Sequence, residues 1–281
     1  MEGKVQGRQV IVSHQSPTQG QTSFLEQIYR QEREKLAGIV ADDPLWFARR
    51  YEDRQDLEIA GFLASQFAYG RVEGIRGFLG KLFAHIGDSP HGFVTRGDFG
   101  RLRPLYYRFH KGDEIVDLFT TLKGIVEEFG GLGKMMEAFY EGTIRQTLAD
   151  VRTHLFGDTD RLLFFFPRPF GGSALKRWNL YLRWMVRKDE IDLGVWNFID
   201  TKDLIVPLDA NIYKIGRCRG WTASKTASWK AACEITEALK RSDPADPVKY
   251  DFLLCHMIGI RGGCTGTPRD TCRERCLVHA L

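Results

Sequence analysis

No uninterrupted apolar run in this sequence is long enough to span a bilayer, and the opening residues, Met1-Glu-Gly-Lys-Val-Gln-Gly-Arg, hold no apolar core of the kind that directs secretion. A membrane-embedded or exported protein is therefore not expected, and the expected location is the cytoplasm. A dominant charge of one sign is also missing: 40 Lys and Arg against 36 Asp and Glu leave a formal net charge of +4. That balance does not by itself mark a nucleic-acid binder, so such a role would have to come from basic groups gathered on one face. Cysteine is sparse. Six cysteines in 281 residues, several of them crowded at the C-terminal end, do not resemble the disulfide framework of a small secreted domain, and reduced thiols or metal ligands are expected instead. Internal repeats, low-complexity tracts and the alternating pattern of a β-sheet are all wanting.

What the chain has is helical periodicity. Residues 1–20, rich in Gln, Ser, Gly and Thr without a sustained period, read as a mobile leader before a helical domain over 21–281, built as one body or as two lobes. Apolar residues recur at intervals of three and four over 23–36 and over 56–86, where Ile59, Phe62 and Leu63 precede Phe78, Leu79, Leu82 and Phe83. Further helices are predicted over 113–129, 134–156, 173–188, 209–218, 227–240 and 248–258, separated by Gly and Pro punctuation. The expected fold is all-α, a compact array of helices with short loops.

Two segments within 160–220 carry potential chemistry. In the first, Phe166-Pro-Arg-Pro-Phe-Gly-Gly-Ser-Ala-Leu-Lys-Arg177, the prolines stop the preceding element and Gly171 and Gly172 permit a sharp turn. Ser173 is the expected N-cap of the next helix, and the amides of such a turn suit a phosphate. On that helix Leu175, Trp178, Leu182 and Met185 form an apolar stripe, whereas Lys176, Arg183 and Arg187 fall on a basic one. In the second segment Asp209 follows Val206-Pro-Leu208 and opens a helix, a place where a carboxylate ordinarily caps and where the helix dipole also favours an anion. By themselves Lys176 reads as one cation on a solvated face and Asp209 as a cap. Together they supply an amine nucleophile and a carboxylate, the groups needed to cut a base from a sugar.

The segment Pro207-Leu-Asp-Ala-Asn-Ile-Tyr-Lys-Ile215 is similar to the aspartate motif of the helix-hairpin-helix DNA glycosylases. The turn with Gly171, Gly172 and Lys176 resembles the phosphate-binding hairpin and lysine nucleophile of that superfamily. Ala64-Ser-Gln-Phe67 looks like its early helix motif, in which the position matching Gln66 enters the gap left by an extruded base. The separation of Lys176 from Asp209 is closer to that of the archaeal 8-oxoguanine glycosylase branch than to the common members. Most of 20–276 resembles a little-characterised bacterial family, through Gly172-Ser-Ala-Leu-Lys-Arg177 with Leu182-Arg-Trp-Met-Val-Arg187, and Asp246-Pro-Val-Lys-Tyr-Asp-Phe252. The hairpin departs from the superfamily pattern, with two residues between Ser173 and Lys176 and with Arg177 where a small residue is usual.

The resemblance implies a DNA repair glycosylase with abasic-site lyase activity, working on double-stranded DNA as a monomer and needing no cofactor. Lys176 and Asp209 would be catalytic; Gln66, Gly171, Gly172, Ser173, Arg177 and Arg183 would contact DNA. A stacking platform for the base would come from Phe164, Phe165, Phe166, Trp178, Trp184 or Trp196, each of which also suits a core. Cys264, Cys272 and Cys276 resemble the terminal cysteine loop that holds an iron–sulfur cluster in many of these enzymes, though the spacing differs. Cys255, Cys218 or His279 could complete a site for a cluster or zinc. A non-catalytic DNA-binding module, or an enzyme acting on RNA or nucleosides, would use many of the same residues.

Overall fold

A computed structural model of the chain describes residues 23–272 and 276–279; the leader expected over 1–20 lies outside them. Helix α1 (Phe24–Ile39) begins where Ser23 accepts a hydrogen bond from the Glu26 amide, and it turns Leu25, Ile28, Tyr29 and Leu36 inward. A short α2 (Leu45–Ala48) leads to α3 (Arg54–Gln66), capped by Asp53, whose carboxylate accepts from the amides of Gln55 and Asp56. From Asp56 to Gln66 every residue of α3 is buried. The helical run expected over 56–86 is interrupted. Gly70, at φ +106°, turns the chain before α4 (Val72–Ile86), and this loop becomes one wall of the site.

After α5 (Pro90–Arg96) comes an unexpected antiparallel hairpin, β1 (Tyr106–Tyr107) and β2 (His110–Lys111), with Tyr106 opposite Lys111 and Tyr107 opposite His110. Strands of two residues are too short to leave an alternating signature in sequence. Helices α6 (Gly112–Phe129), α7 (Leu132–Phe139), α8 (Ile144–Phe156), α9 (Lys176–Val186), α10 (Ala210–Cys218) and α11 (Trp229–Lys240) follow. The helix expected over 248–258 divides into a 3-10 turn, Pro247–Tyr250, and a π-helix, Leu253–Arg261. Among the described residues the protein is mostly helical, and no helix is long and apolar enough to cross a membrane.

α3 lies at the centre, packed against α2, α5, α7 and α9. Phe62 meets Phe166, Trp178 and Tyr181 at ring separations near 5.5 Å. Each such aromatic side chain removed from water contributes on the order of 1.5–3 kcal/mol. Polar groups in this core are paired across elements. Glu58 on α3 accepts from the Gly133 amide and from the Trp196 indole, both at 2.9 Å, and Tyr181 donates to the Glu58 carbonyl at 3.0 Å.

Helix α9 carries its expected apolar stripe inward: Leu175, Trp178, Leu182 and Met185 are all buried. Its basic stripe is not a surface. Arg183 is 2% exposed and donates through Nε and Nη2 to Asp192, both at 3.1 Å, and through Nη1 to Asp251. Arg187 is 4% exposed and joins Asp189, Asp192 and Asp246. These guanidiniums knit the C-terminal third to α9, because a cation withdrawn from water is tolerated only with its charge and donors matched. Ser173 is not the N-cap of α9. The helix starts at Lys176, with Leu175 at φ 52° in the cap position, while Ser173 pairs with Ser228 in an isolated bridge.

Candidate active site

A cavity of about 410 Å³ opens where five pieces of chain meet: the segment just before α2 that holds Asp43, the α3–α4 loop, the start of α9, the start of α10 and the π-helix. Lys176 and Asp209, from α9 and α10, both line it. Lys176 is the first residue of its helix, and its Nζ donates to the Ala68 carbonyl at 3.1 Å. Asp209 does what its position forecast: Oδ1 caps α10 by accepting from the Ile212 amide at 2.8 Å. Its second oxygen, Oδ2, accepts from the Cys255 thiol at 3.3 Å. One carboxylate oxygen is thus spent on the backbone while the other looks toward the π-helix.

Cys255 belongs to the site and was not singled out for it by sequence. Burial pushes its thiol well above the ordinary range, the carboxylates of Asp209 and Asp251 push it further, and Lys176 pulls the other way. It therefore stays an S–H donor beside Asp209. Asp251, one helical turn earlier, lines the same cavity. Burial raises its carboxyl to about 6 against the pull of Arg183, and its Oδ1 is buried without a hydrogen-bond partner. On the opposite wall Asp43 holds His256 through Nε2 at 3.2 Å. Burial would raise the Asp43 carboxyl, but His256 and the Leu45 amide outweigh it and hold it below its usual value. Phe252 lies against the His256 ring at 4.2 Å between centroids. An amine, carboxylates, an imidazole and a thiol around a half-enclosed space can bind a sugar and move protons.

The expected DNA contacts fare differently. Gln66 is fully buried: its Nε2 donates to Ser65 Oγ at 3.4 Å and its Oε1 has no partner, so it cannot reach into a duplex. Gln66 is the last residue of α3, every residue of which from Asp56 onward is buried. Gly171 and Gly172 are exposed, with Gly172 at φ +87°, but the Gly171 amide donates to the Arg168 carbonyl at 3.1 Å and is not free for a phosphate. Ser173 is exposed beside them. Arg177 folds back, donating to the Phe164 carbonyl at 2.5 Å and the Gln66 carbonyl at 3.4 Å, with its guanidinium 3.5 Å from the Phe164 ring centre. Burial lowers it to about 10. Arg183 is the buried ion-pair residue described above. Of the aromatic candidates, Phe165, Phe166, Trp178, Trp184 and Trp196 are core residues and Phe164 is partly buried under Arg177.

Cys264, Cys272 and Cys276 do gather, lining a second cavity of about 220 Å³ together with Cys218 and His279. Burial raises the Cys218 thiol, and the other three thiols add to the rise. Among the described residues no group of three or more His, Cys, Asp and Glu is arranged to hold a metal ion. The thiols suit zinc or an iron–sulfur cluster by type.

No curated protein and no solved structure matches the chain. A family model matches residues 43–261, which include Asp43, Lys176, Asp209, Asp251, Cys255 and His256. The chain belongs to that family, described as Protein of unknown function (DUF2400).

Proposed function

We propose that the protein is a DNA glycosylase with abasic-site lyase activity, built on the helix-hairpin-helix glycosylase plan, with Lys176 as nucleophile and Asp209 as its acid–base partner. The observation that carries this reading is the meeting of Lys176 and Asp209 at one cavity, brought from two different helix starts. A nucleotide turned out of the duplex would place its sugar between them. Asp209 takes a proton from the ammonium, and the freed amine bonds to C1′ as the glycosidic bond breaks. The bond's electron pair leaves with the base, which takes up a proton. The carboxylate faces the positive charge that develops on the sugar ring, where a fixed anion stabilises it most. Ring opening then gives an imine between Lys176 and C1′, and loss of the C2′ proton expels the 3′ phosphate by β-elimination. Cys255 holds Asp209 in place through its S–H bond.

Borohydride trapping tests the chemistry on duplexes containing 8-oxoguanine or an abasic site. A covalent adduct is expected from the wild type, none from Lys176→Ala, and a rate lower by roughly 10²–10⁴-fold from Asp209→Asn. Duplex binding without adduct or strand cleavage on either substrate would leave a non-catalytic DNA-binding module as the reading to adopt.

A further inference from the structure

Extruding a nucleotide leaves a hole in the base stack, and the hole must be filled or the base falls back. Gln66, fully buried in α3, is not available for this. The hairpin β1–β2 is. Its sequence, Tyr106-Tyr-Arg-Phe-His-Lys111, combines four rings with two cations, Arg108 and Lys111, and the two rings that point outward are among the most exposed of the described residues: Tyr106 at 64% and Phe109 at 58%.

Phe109 does not dangle. It leans on three other rings, with centroids 4.4 Å from His110, 5.2 Å from Phe164 and 5.8 Å from Tyr69. Behind them Tyr107 is buried and donates its hydroxyl to the Tyr69 carbonyl, fixing the hairpin to the α3–α4 loop. The turn itself is stiff and tight, with Arg108 in the left-handed region at φ 56°. An exposed apolar ring held rigidly in this way loses little freedom on insertion, which is what a wedge requires.

The hairpin also stands in the right place. Tyr69, Gly70 and Arg71 line the cavity that holds Lys176 and Asp209. Arg108 lies against Gly70 so closely that a Cβ there would meet its Nη1 at 2.8 Å, and its guanidinium is 5.6 Å from the Tyr69 ring centre. Arg108, Lys111 and Arg71 are all exposed. The rim thus offers a ring for stacking and cations for the flanking phosphates.

We propose that Phe109 is the residue that enters the base stack of duplex DNA and props the target nucleotide in the cavity, with Arg108 and Lys111 on the neighbouring phosphates. The proposal rests on the glycosylase reading above for its substrate. It is a positioning role, since Phe109 touches the stack and not the reacting atoms.

The test separates flipping from chemistry. A duplex carrying 2-aminopurine beside a tetrahydrofuran abasic analogue reports unstacking by its fluorescence, with no bond broken. Wild-type protein is expected to raise the signal, and Phe109→Ala to lose at least about tenfold of the rise while duplex affinity changes less than about threefold. Phe109→Trp, still able to stack, restores it. Borohydride trapping on a flexible single-stranded abasic site, where nothing must be flipped, stays at the wild-type rate in Phe109→Ala. Circular dichroism checks that the exposed substitution leaves the fold intact. A Phe109→Ala protein that unstacks 2-aminopurine as the wild type does overturns the wedge even if trapping succeeds. Loss of the fluorescence rise in Phe109→Ala, with no trapping by any variant, keeps the wedge and overturns the lyase.

Discussion

At the level of single residues Asp209 was legible because its local task was. Asp209 follows a proline-bearing extended segment and opens a helix, and capping put it where a reader of the sequence would put it. Lys176 was legible only through resemblance, and its neighbours misled. Arg183 and Arg187 share its stripe by helical spacing, yet both are buried, and nothing in α9 itself announces the partners Asp192, Asp246 and Asp251 that make this possible. A charge pattern on one helix says which residues share a face, not whether acids from later in the chain will cover it. Arg183→Met tests the consequence. It leaves the Asp251 carboxylate buried without its cation, and a loss of about 3–5 kcal/mol is expected in urea unfolding. Activity at that site would fall with the fold. Cys255 shows the opposite failure: the sequence offered it as a spare metal ligand, and the structure bonds it to Asp209 at 3.3 Å.

Elements of ordinary length were read from their period, whereas the hairpin and the π-helix were not. Two-residue strands have no period to detect, and a helix over 248–258 could be foreseen without foreseeing that its turns would widen. The hairpin carries its own titratable support. His110 is fully buried beneath Phe109, with Nδ1 2.7 Å from Glu114. Burial, joined by Arg177 and opposed by the bonded Glu114, holds the imidazole below the ordinary 6.5. The folded state therefore prefers the neutral ring, so this contribution to stability is complete above 6.5 and is lost as the pH falls from there toward the depressed value. Thermal melting between about pH 7.5 and 5.5 should show a larger fall for the wild type than for His110→Gln. The protection factors of the hairpin amides, with the intrinsic pH dependence of exchange divided out, should fall at the acid end before those of α3. An equal fall in both proteins would show that His110 does not control this element.

For the whole molecule the sequence indicated an all-α array but not its closure, which depends on residues far apart in the chain. The buried core is continuous from Leu25 in α1 to Ile258 in the π-helix, and Tyr250 reaches back to bond Glu26 in α1 at 2.8 Å. A chain ended after Arg241 would lose Asp246, Tyr250, Asp251 and Cys255, stripping Arg183, Arg187 and Asp209 each of one partner and Glu26 of its bond to Tyr250. Such a protein is expected to show no cooperative unfolding by circular dichroism and no borohydride adduct. A sharp transition in the truncated chain would mean that the residues up to Arg241 form a domain by themselves. The walls of the cavity run from Asp42 to Ile260, so they are assembled in the order in which a ribosome delivers them, with the π-helix wall arriving last. A half-made copy can thus carry Lys176 and Asp209 and still lack the π-helix wall whose Cys255 meets Asp209.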